Sequence, residues 1–405
     1  MNSMLETPDY TPMPEAERAA LLADVDAYCR EVRPIEDLCY LEHRYNEAVV
    51  SLGRKHNILA MTVPKQYGGR GADTATYAAA IARIGREGTS VRTLFSGHCS
   101  IGQTPIVEWG TEEQKRRYLP ATVTGECILA FGLTEPEAGS NPLEMQSTYR
   151  REGDHYVLNG VKYLISNATI AGAIIMFAYP EDPDDGKRRI SAFIMDTDGD
   201  GIEREAMTAK LGMPTCDTGM FEVTEYRIPV ENMLGAEGDG FAVAMQTLRS
   251  GRLSVAAGCV GVIEDCLDAA VEYAKERNQH GKAIARHQLV QEHLAQIEVA
   301  RQSSASIVAD AARWKAASDD RPGDAALGAR VDQLIAEAKF AASTAAFDAA
   351  DRALQVLGGR GWSDLYRPGR HLKDVRVCRI YEGTDEVLKL KIAVGVLGRD
   401  YAAFR

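Results

Sequence analysis

The chain has 405 residues, 45% of them hydrophobic and 26% charged, which is the composition of an ordinary globular protein with room for two or three domains. Its net charge of −12 argues against a nucleic-acid partner, because the short clusters Arg116-Arg117 and Lys187-Arg188-Arg189 sit among acidic neighbours. Its eight cysteines form no CxxC pair, which argues against a disulfide framework or a metal site. No run approaches the roughly 18 apolar residues of a membrane span. The polar, acidic N-terminus carries neither signal core nor presequence, so a cytoplasmic location is expected.

Residues 1–16, with Pro8, Pro12 and Pro14, predict a mobile arm. From 15 to about 126 the pattern is helical, with Ala19, Leu22, Val25 and Tyr28 at helical spacing. A turn-rich break, Val63-Pro64-Lys65-Gln66-Tyr67-Gly68-Gly69, interrupts it. Thr111 with Gln114 predicts a capping box. Residues 1–126 therefore form an all-α domain.

From Cys127 the period switches to two, and residues 127–238 predict a middle β domain. It opens on Phe131-Gly132-Leu133-Thr134-Glu135-Pro136-Glu137-Ala138-Gly139-Ser140, a loop whose glycines allow close backbone approach to a ligand. Taken alone, it also reads as a plain turn between strands. Residues 156–158 and 161–165 are strand-like, and Asn159-Gly160 between them predicts a hairpin. Strands over 174–178 and 190–195 are joined by an acidic loop at 180–186, and 221–230 continues the pattern. Residues 239–405 predict helices: one closing near Gly281, then 289–314, an Ala-rich 325–357, and 364–396 with an interruption at Glu382-Gly383. The fold class is α+β.

Glu382 stands between Tyr381 and Gly383 in an otherwise apolar region, where desolvation would raise its pKa towards that of a general base. Local sequence taken alone reads first as a capping or salt-bridged glutamate at a helix break. Likewise Gly358-Gly359, following a helix, is by itself a C-cap signal.

The order of these segments resembles the acyl-CoA dehydrogenase family along nearly the whole chain. Residues 133–141 are the counterpart of L-T-E-P-x-A-G-S-D, 158–162 of L-N-G-x-K, and 164–167 of W-I-T-N. Further matches are V-P-x-x-Y-G-G at 63–69, G-T-x-x-Q-K at 110–115, R-x-x-F-G at 277–281, Q-x-x-G-G-x-G at 355–361 and Y-E-G-T at 381–384. The resemblance implies an N-terminal helical domain, a middle β domain and a C-terminal four-helix bundle. It also implies FAD-dependent α,β-dehydrogenation of a short or branched acyl thioester to the 2-enoyl thioester. Glu382 would take the α proton while hydride passes from the β carbon to flavin N5, and its backbone N–H would help hold the thioester oxygen.

Around the flavin the resemblance implies Phe131, Leu133, Thr134, Gly139, Ser140, Leu164, Ile165, Ser166 and Thr384. For the adenosine and pyrophosphate half it implies Arg277, His280, Gln288, Gln355, Gly358 and Gly359, reaching the FAD of a neighbouring subunit in a dimer of dimers. Ser140, Phe241, Arg252, Tyr381 and Gly383 would meet the substrate. No metal is implied, and an electron-transfer flavoprotein would be the electron acceptor. Pocket depth would be set around 95–101 and at the start of the last domain.

Several positions depart from the family pattern. Gly251 stands where some members place their base, leaving Glu382 as the one base the resemblance supports. Leu164 replaces a Trp, Ser166 a Thr, His280 a Phe, Arg249 an Asp and Lys373 an Arg, and Pro214-Thr215-Cys216 replaces R-[GA]-S. The last three changes are neutral repacking, or they signal a carrier-protein acyl or aminoacyl thioester, handled by a dehydrogenase or an oxidase. A non-catalytic nucleic-acid-binding relative is opposed by the acidic balance and by Glu382. Monooxygenase relatives generally lack the Y-E-G-T carboxylate.

Overall fold

The computed structural model describes residues 8–183 and 186–403. The first seven residues of the predicted arm and the centre of the acidic loop at 180–186 lie outside these. The described part of the arm is not loose. Thr11 N–H donates to Asp320 (2.6 Å), Met13 N–H to Asp73 (2.8 Å), and Arg321 to Asp9 O (2.9 Å). Met13 is also buried, so hydrogen bonds and apolar burial override the proline-rich signal.

The N-terminal helices are α1 (Glu15–Leu41), α2 (Ala48–Lys55), α3 (Thr74–Gly85), α4 (Thr89–Phe95), α5 (Thr104–Trp109) and α6 (Glu112–Thr124). The predicted capping box opens α6: Thr111 Oγ1 accepts from Gln114 N–H (3.2 Å), and the Gln114 side chain accepts from Thr111 N–H (2.9 Å). Between α4 and α5 the chain winds through a π-helical segment, Ser96–Gln103.

The β domain holds β1 (Leu129–Gly132), β2 (Thr148–Glu152), β3 (His155–Ser166), β4 (Ala173–Pro180), β5 (Ser191–Asp196), β6 (Ile202–Ala206), β7 (Thr218–Pro229) and β8 (Met233–Leu234). The sheet runs β6-β7-β3-β2-β4-β5-β8, with β1 parallel beside β4. Alternation in β4 sends Ile175 and Phe177 to one core and Ile174 and Met176 to another, so the strand is apolar throughout because both faces are covered.

The hairpin predicted at Asn159-Gly160 is overturned. β3 continues through it with a register shift between Leu158 and Gly160, a bulge. Asn159 instead exchanges hydrogen bonds with Glu225 of β7 (2.8 and 2.9 Å). A Cβ on Gly160 would lie 2.1 Å from Ser147 Oγ, so this glycine serves a close approach rather than a turn. The real hairpin joins β2 to β3 around Gly153, where Glu152 pairs with His155.

The C-terminal domain comprises α7 (Gly240–Glu276), the short pair β9 (Asn278–Gln279) and β10 (Lys282–Ala283), α8 (Gln288–Asp319), α9 (Ala325–Leu357), α10 (Arg367–Val375) and α11 (Asp385–Leu397). Asp265 of α7 receives Arg33 (2.9 Å), Arg367 (2.7 Å) and His371 (2.8 Å), tying α1, α7 and α10 together. That anchor fixes the helix leading to Glu382. Among the described residues no helix is long and apolar enough to cross a membrane.

Candidate active site

The loop after β1 is shaped by its own glutamate. Glu135 accepts from Ser147 Oγ (2.5 Å), from the N–H groups of Gln146 (2.5 Å) and Ser147 (3.1 Å), and from Lys162 Nζ (2.7 Å). Lys162 is fully buried, and burial lowers its pKa to about 8. The glutamate and lysine of the two matched motifs are thus one buried ion pair, and Gly160 admits Ser147 to it. Tyr163 N–H donates to Thr134 O (2.9 Å), which brings Thr134 beside the end of β3, where Ser166 lies. Asn167, at φ +65°, donates to Leu129 O (3.1 Å).

Ser166 in turn abuts the N-terminal domain: a Cβ on Gly97 would lie 3.5 Å from Ser166 Cβ. Neighbouring Ser96 bonds Ser254 of α7 (2.6 Å), and Ser254 lies one helical turn from Gly251. A Cβ on Gly251 would lie 2.5 Å from Glu382 Oε1. A continuous set of contacts therefore joins Thr134 and Ser166 to Glu382 across three domains that are distant in sequence.

Glu382 sits at φ +56°, a backbone region that side-chain-bearing residues rarely occupy. Its carboxylate rests on the bare backbone of Gly251, and among the described residues its Oε2 is buried without a hydrogen-bond partner. Burial pushes its pKa up to about 7, against the opposing fields of Arg252, Lys339 and Arg92. Among the described residues its N–H has no backbone acceptor; the turn bonds from Ile380 and Tyr381 to Val377 O end just before it. Such a group can take a proton from carbon in a dry site and donate its N–H to a nearby oxygen.

The other expected residues divide. Arg252 is buried and donates to Glu382 O (2.9 Å), while Tyr381 and Gly383 flank the base. Thr384 caps α11, accepting from Val387 N–H (3.3 Å), which is a structural task. Phe131, Leu133 and Ile165 turn their side chains into the cores, leaving only backbone for a ligand. Phe241 is 40% exposed at the start of α7.

Arg277, His280, Gln288, Gln355, Gly358 and Gly359 are all exposed. Arg277 stands ~39 Å along α7 from Gly251 at 1.5 Å per residue. Arg360 stacks on Tyr273 (5.5 Å), so the two segments share one end of the bundle, remote from Glu382.

A cleft of about 1170 Å³ opens beside this site, lined by Tyr77, Ser100, Thr104, Gln246, Ser250 and Leu253 among others. Ser250 precedes Gly251. Phe95, expected near the pocket, packs instead on Tyr28 with ring centroids 5.4 Å apart. Arg249 lines the cleft and grips Asp332 (2.7 and 3.2 Å). Thr215 bonds Glu36 of α1 (2.6 Å) and Lys373 bonds Asp364, just ahead of α10 (2.7 Å), so both replacement side chains are spent on local contacts.

Sequence reasoning missed Arg92 and Lys339. Their signal was present: Arg92 is the one Asp, Glu, Lys or Arg between Thr89 and Val107, and Lys339 the one between Ala338 and Phe347.

These residues fit an FAD. Leu164 is 52% exposed at φ +59° beside Ser166, an apolar side chain held outward in an unfavourable backbone, with room for a flat ring against it. Nothing lies within 4 Å of a Cβ on Gly139, Gly358 or Gly359, so these backbones are open to a phosphate-bearing chain. Ser140 is exposed on the same loop as Gly139.

The chain matches the family profiles described as acyl-CoA dehydrogenase N-terminal domain at 15–126, middle domain at 130–226 and C-terminal domain at 238–397. A short-chain-specific acyl-CoA dehydrogenase of Clostridium acetobutylicum is 36% identical over 90% of this chain and 93% of its own. The structure of butyryl-CoA dehydrogenase from Megasphaera elsdenii superposes with a TM-score of 0.87 at 30% identity, covering 96% of this chain and 100% of that one. The prolyl acyl carrier protein oxidase AnaB gives 0.86 at 25% identity, covering 95% and 99%. With its site built and its relatives of that kind, the chain belongs to the acyl-CoA dehydrogenase family, FAD-dependent oxidoreductases acting on a CH–CH group.

Proposed function

We propose that the protein removes the α proton and β hydride of a short or branched acyl thioester, giving the 2-enoyl thioester. The observation that carries this is the Glu382 carboxylate: buried, without a partner for Oε2, and raised to about 7 by burial. Bound FAD supplies the hydride acceptor. Thr134, Ser166 and the exposed Leu164 would hold its ring, and the open loop at Gly139 and Ser140 would meet its phosphates. The Glu382 N–H orients the thioester oxygen, so the α carbon is presented to the carboxylate.

The adenosine-side residues at the far end of the bundle serve a neighbouring subunit. The exposed Leu289, Trp362 (87%) and Leu365 near those residues supply an apolar surface for that contact. Electrons then pass to an electron-transfer flavoprotein.

Anaerobic titration with short-chain and branched acyl-CoAs tests the reading by bleaching of oxidised flavin. Glu382→Gln should stay yellow with normal flavin content and show no bleaching. Near-normal bleaching in that variant would sink the assignment.

A second reading, a carrier-protein thioester, draws on Arg249, a cation in the cleft where the family pattern has an acid. A wild-type protein that coenzyme A thioesters leave yellow and a carrier-protein thioester bleaches would establish it. Oxygen consumption during turnover would replace the flavoprotein acceptor with an oxidase reaction.

A further inference from the structure

Three buried cations surround Glu382, and none of them spends its hydrogen bonds on the carboxylate. Lys339 of α9 donates to Gly383 O at 2.7 Å. Arg252 of α7 donates to Glu382 O at 2.9 Å. Arg92 of α4 donates to the Tyr381 hydroxyl and, at 2.8 Å, to Ser96 Oγ. Each of the consecutive residues 381, 382 and 383 is thus gripped by one cation from a different helix. Among the described residues neither Arg92 nor Lys339 has a carboxylate in salt-bridge contact, although both are buried. Arg92 meets the Cys378 sulfur at 4.0 Å, and a buried cation without a carboxylate partner is costly, a cost retained where the charge acts on a neighbour.

We propose that Lys339 and Arg92 are positioning residues for the base: with Arg252 they hold residues 381–383 in a strained turn while leaving the carboxylate free for the substrate. The proposal rests on the dehydrogenation reading above. The geometry over-determines a φ of +56° at Glu382, which a non-glycine residue keeps only when its surroundings impose it. The charges also act through space. Glu382 is faced by Arg252 from α7, Lys339 from α9 and Arg92 from α4. The neighbouring acids and thiols are Asp385, itself paired with Arg379 (2.7 Å), and Cys259 and Cys378, which lie in the field of Lys339. Removing one cation therefore leaves two, and the base shifts without losing its site.

The test reads Glu382 directly, without substrate. Infrared difference spectra across a pH series, on flavin-loaded protein, give the Glu382 carboxyl band, identified by its loss in Glu382→Gln. Lys339→Met should raise the titration midpoint by about one pH unit. Lys339→Arg, which keeps the charge, should restore it. The acidic limb of the flavin-bleaching rate should move upward by the same amount, with kcat falling about fivefold at pH 7, approaching tenfold at lower pH, and KM little changed. A folded, flavin-loaded Lys339→Met with an unmoved midpoint overturns the proposal. Should that variant not fold, Lys339→Gln, which keeps a donor for Gly383 O but no charge, decides by the same criterion. A wild type that no acyl thioester bleaches would sink the reaction reading while leaving the infrared result standing, so the two failures are separable.

Discussion

Glu382→Gln should make the protein more stable at alkaline pH, because the base is held in a site that disfavours its charge. The carboxyl titrates at about 7 when folded against 4.5 in the open chain, a gap of about 2.5 pH units. At about 1.4 kcal/mol for each, ionised Glu382 destabilises the fold by up to about 3 kcal/mol. For an acid whose folded pKa is raised, the folded state holds the proton between 4.5 and 7 while the unfolded state has released it. Stability therefore falls as pH rises through that window, and the full cost is felt only above about 7. The neutral amide escapes this cost, less about 1 kcal/mol for an unpartnered donor.

For 405 residues, at ~2.1 cal/mol/K each, a net 2–3 kcal/mol is about 3 °C in Tm. Circular dichroism melts of both flavin-loaded proteins at pH 5 and pH 8.5 check it. The variant should melt about 3 °C higher at pH 8.5 and within a degree of wild type at pH 5. An advantage that is absent at pH 8.5, or equal at both pH values, would refute the reasoning.

Other perturbations are as direct. Gly251→Ala places a methyl group 2.5 Å from Glu382 Oε1, so the carboxylate must swing away. Bleaching by acyl thioester should slow by at least ~10²-fold, the usual worth of a positioned base, with flavin content unchanged. Gly160→Ala drives a Cβ into Ser147 at a φ of +151° and disturbs the Glu135–Lys162 pair. It should lose about 2–4 kcal/mol in denaturant unfolding and release flavin on dilution, whereas a loss under 0.5 kcal/mol would mean the bulge does not hold the loop.

The domain order was legible because its signals are local. Period-two apolar runs, the Thr111 capping box and the Ala-rich span of α9 need no distant partner to be read. Family motifs likewise named Glu382, Thr134 and Ser166. The physical purpose of those motifs was not legible. Asn159-Gly160 has the composition of a hairpin turn, and only the position of Ser147 and Glu225 makes it a bulge. The arm at 8–14 has the composition of a loose segment, but Asp73 and Asp320, far along the chain, hold it down.

What the sequence determined by itself is the order of the helical and strand regions and which residue types stand ready for chemistry, since both follow from neighbours a few positions away. What only the tertiary structure decided is the state of Glu382. Its pKa is raised by burial against the fields of Arg252, Arg92 and Lys339, and its bare Oε2 and strained backbone arise where Gly251 and those cations, brought from three helices, close around it. Burial and long-range charge depend on distances through space, which residue spacing along a chain does not encode.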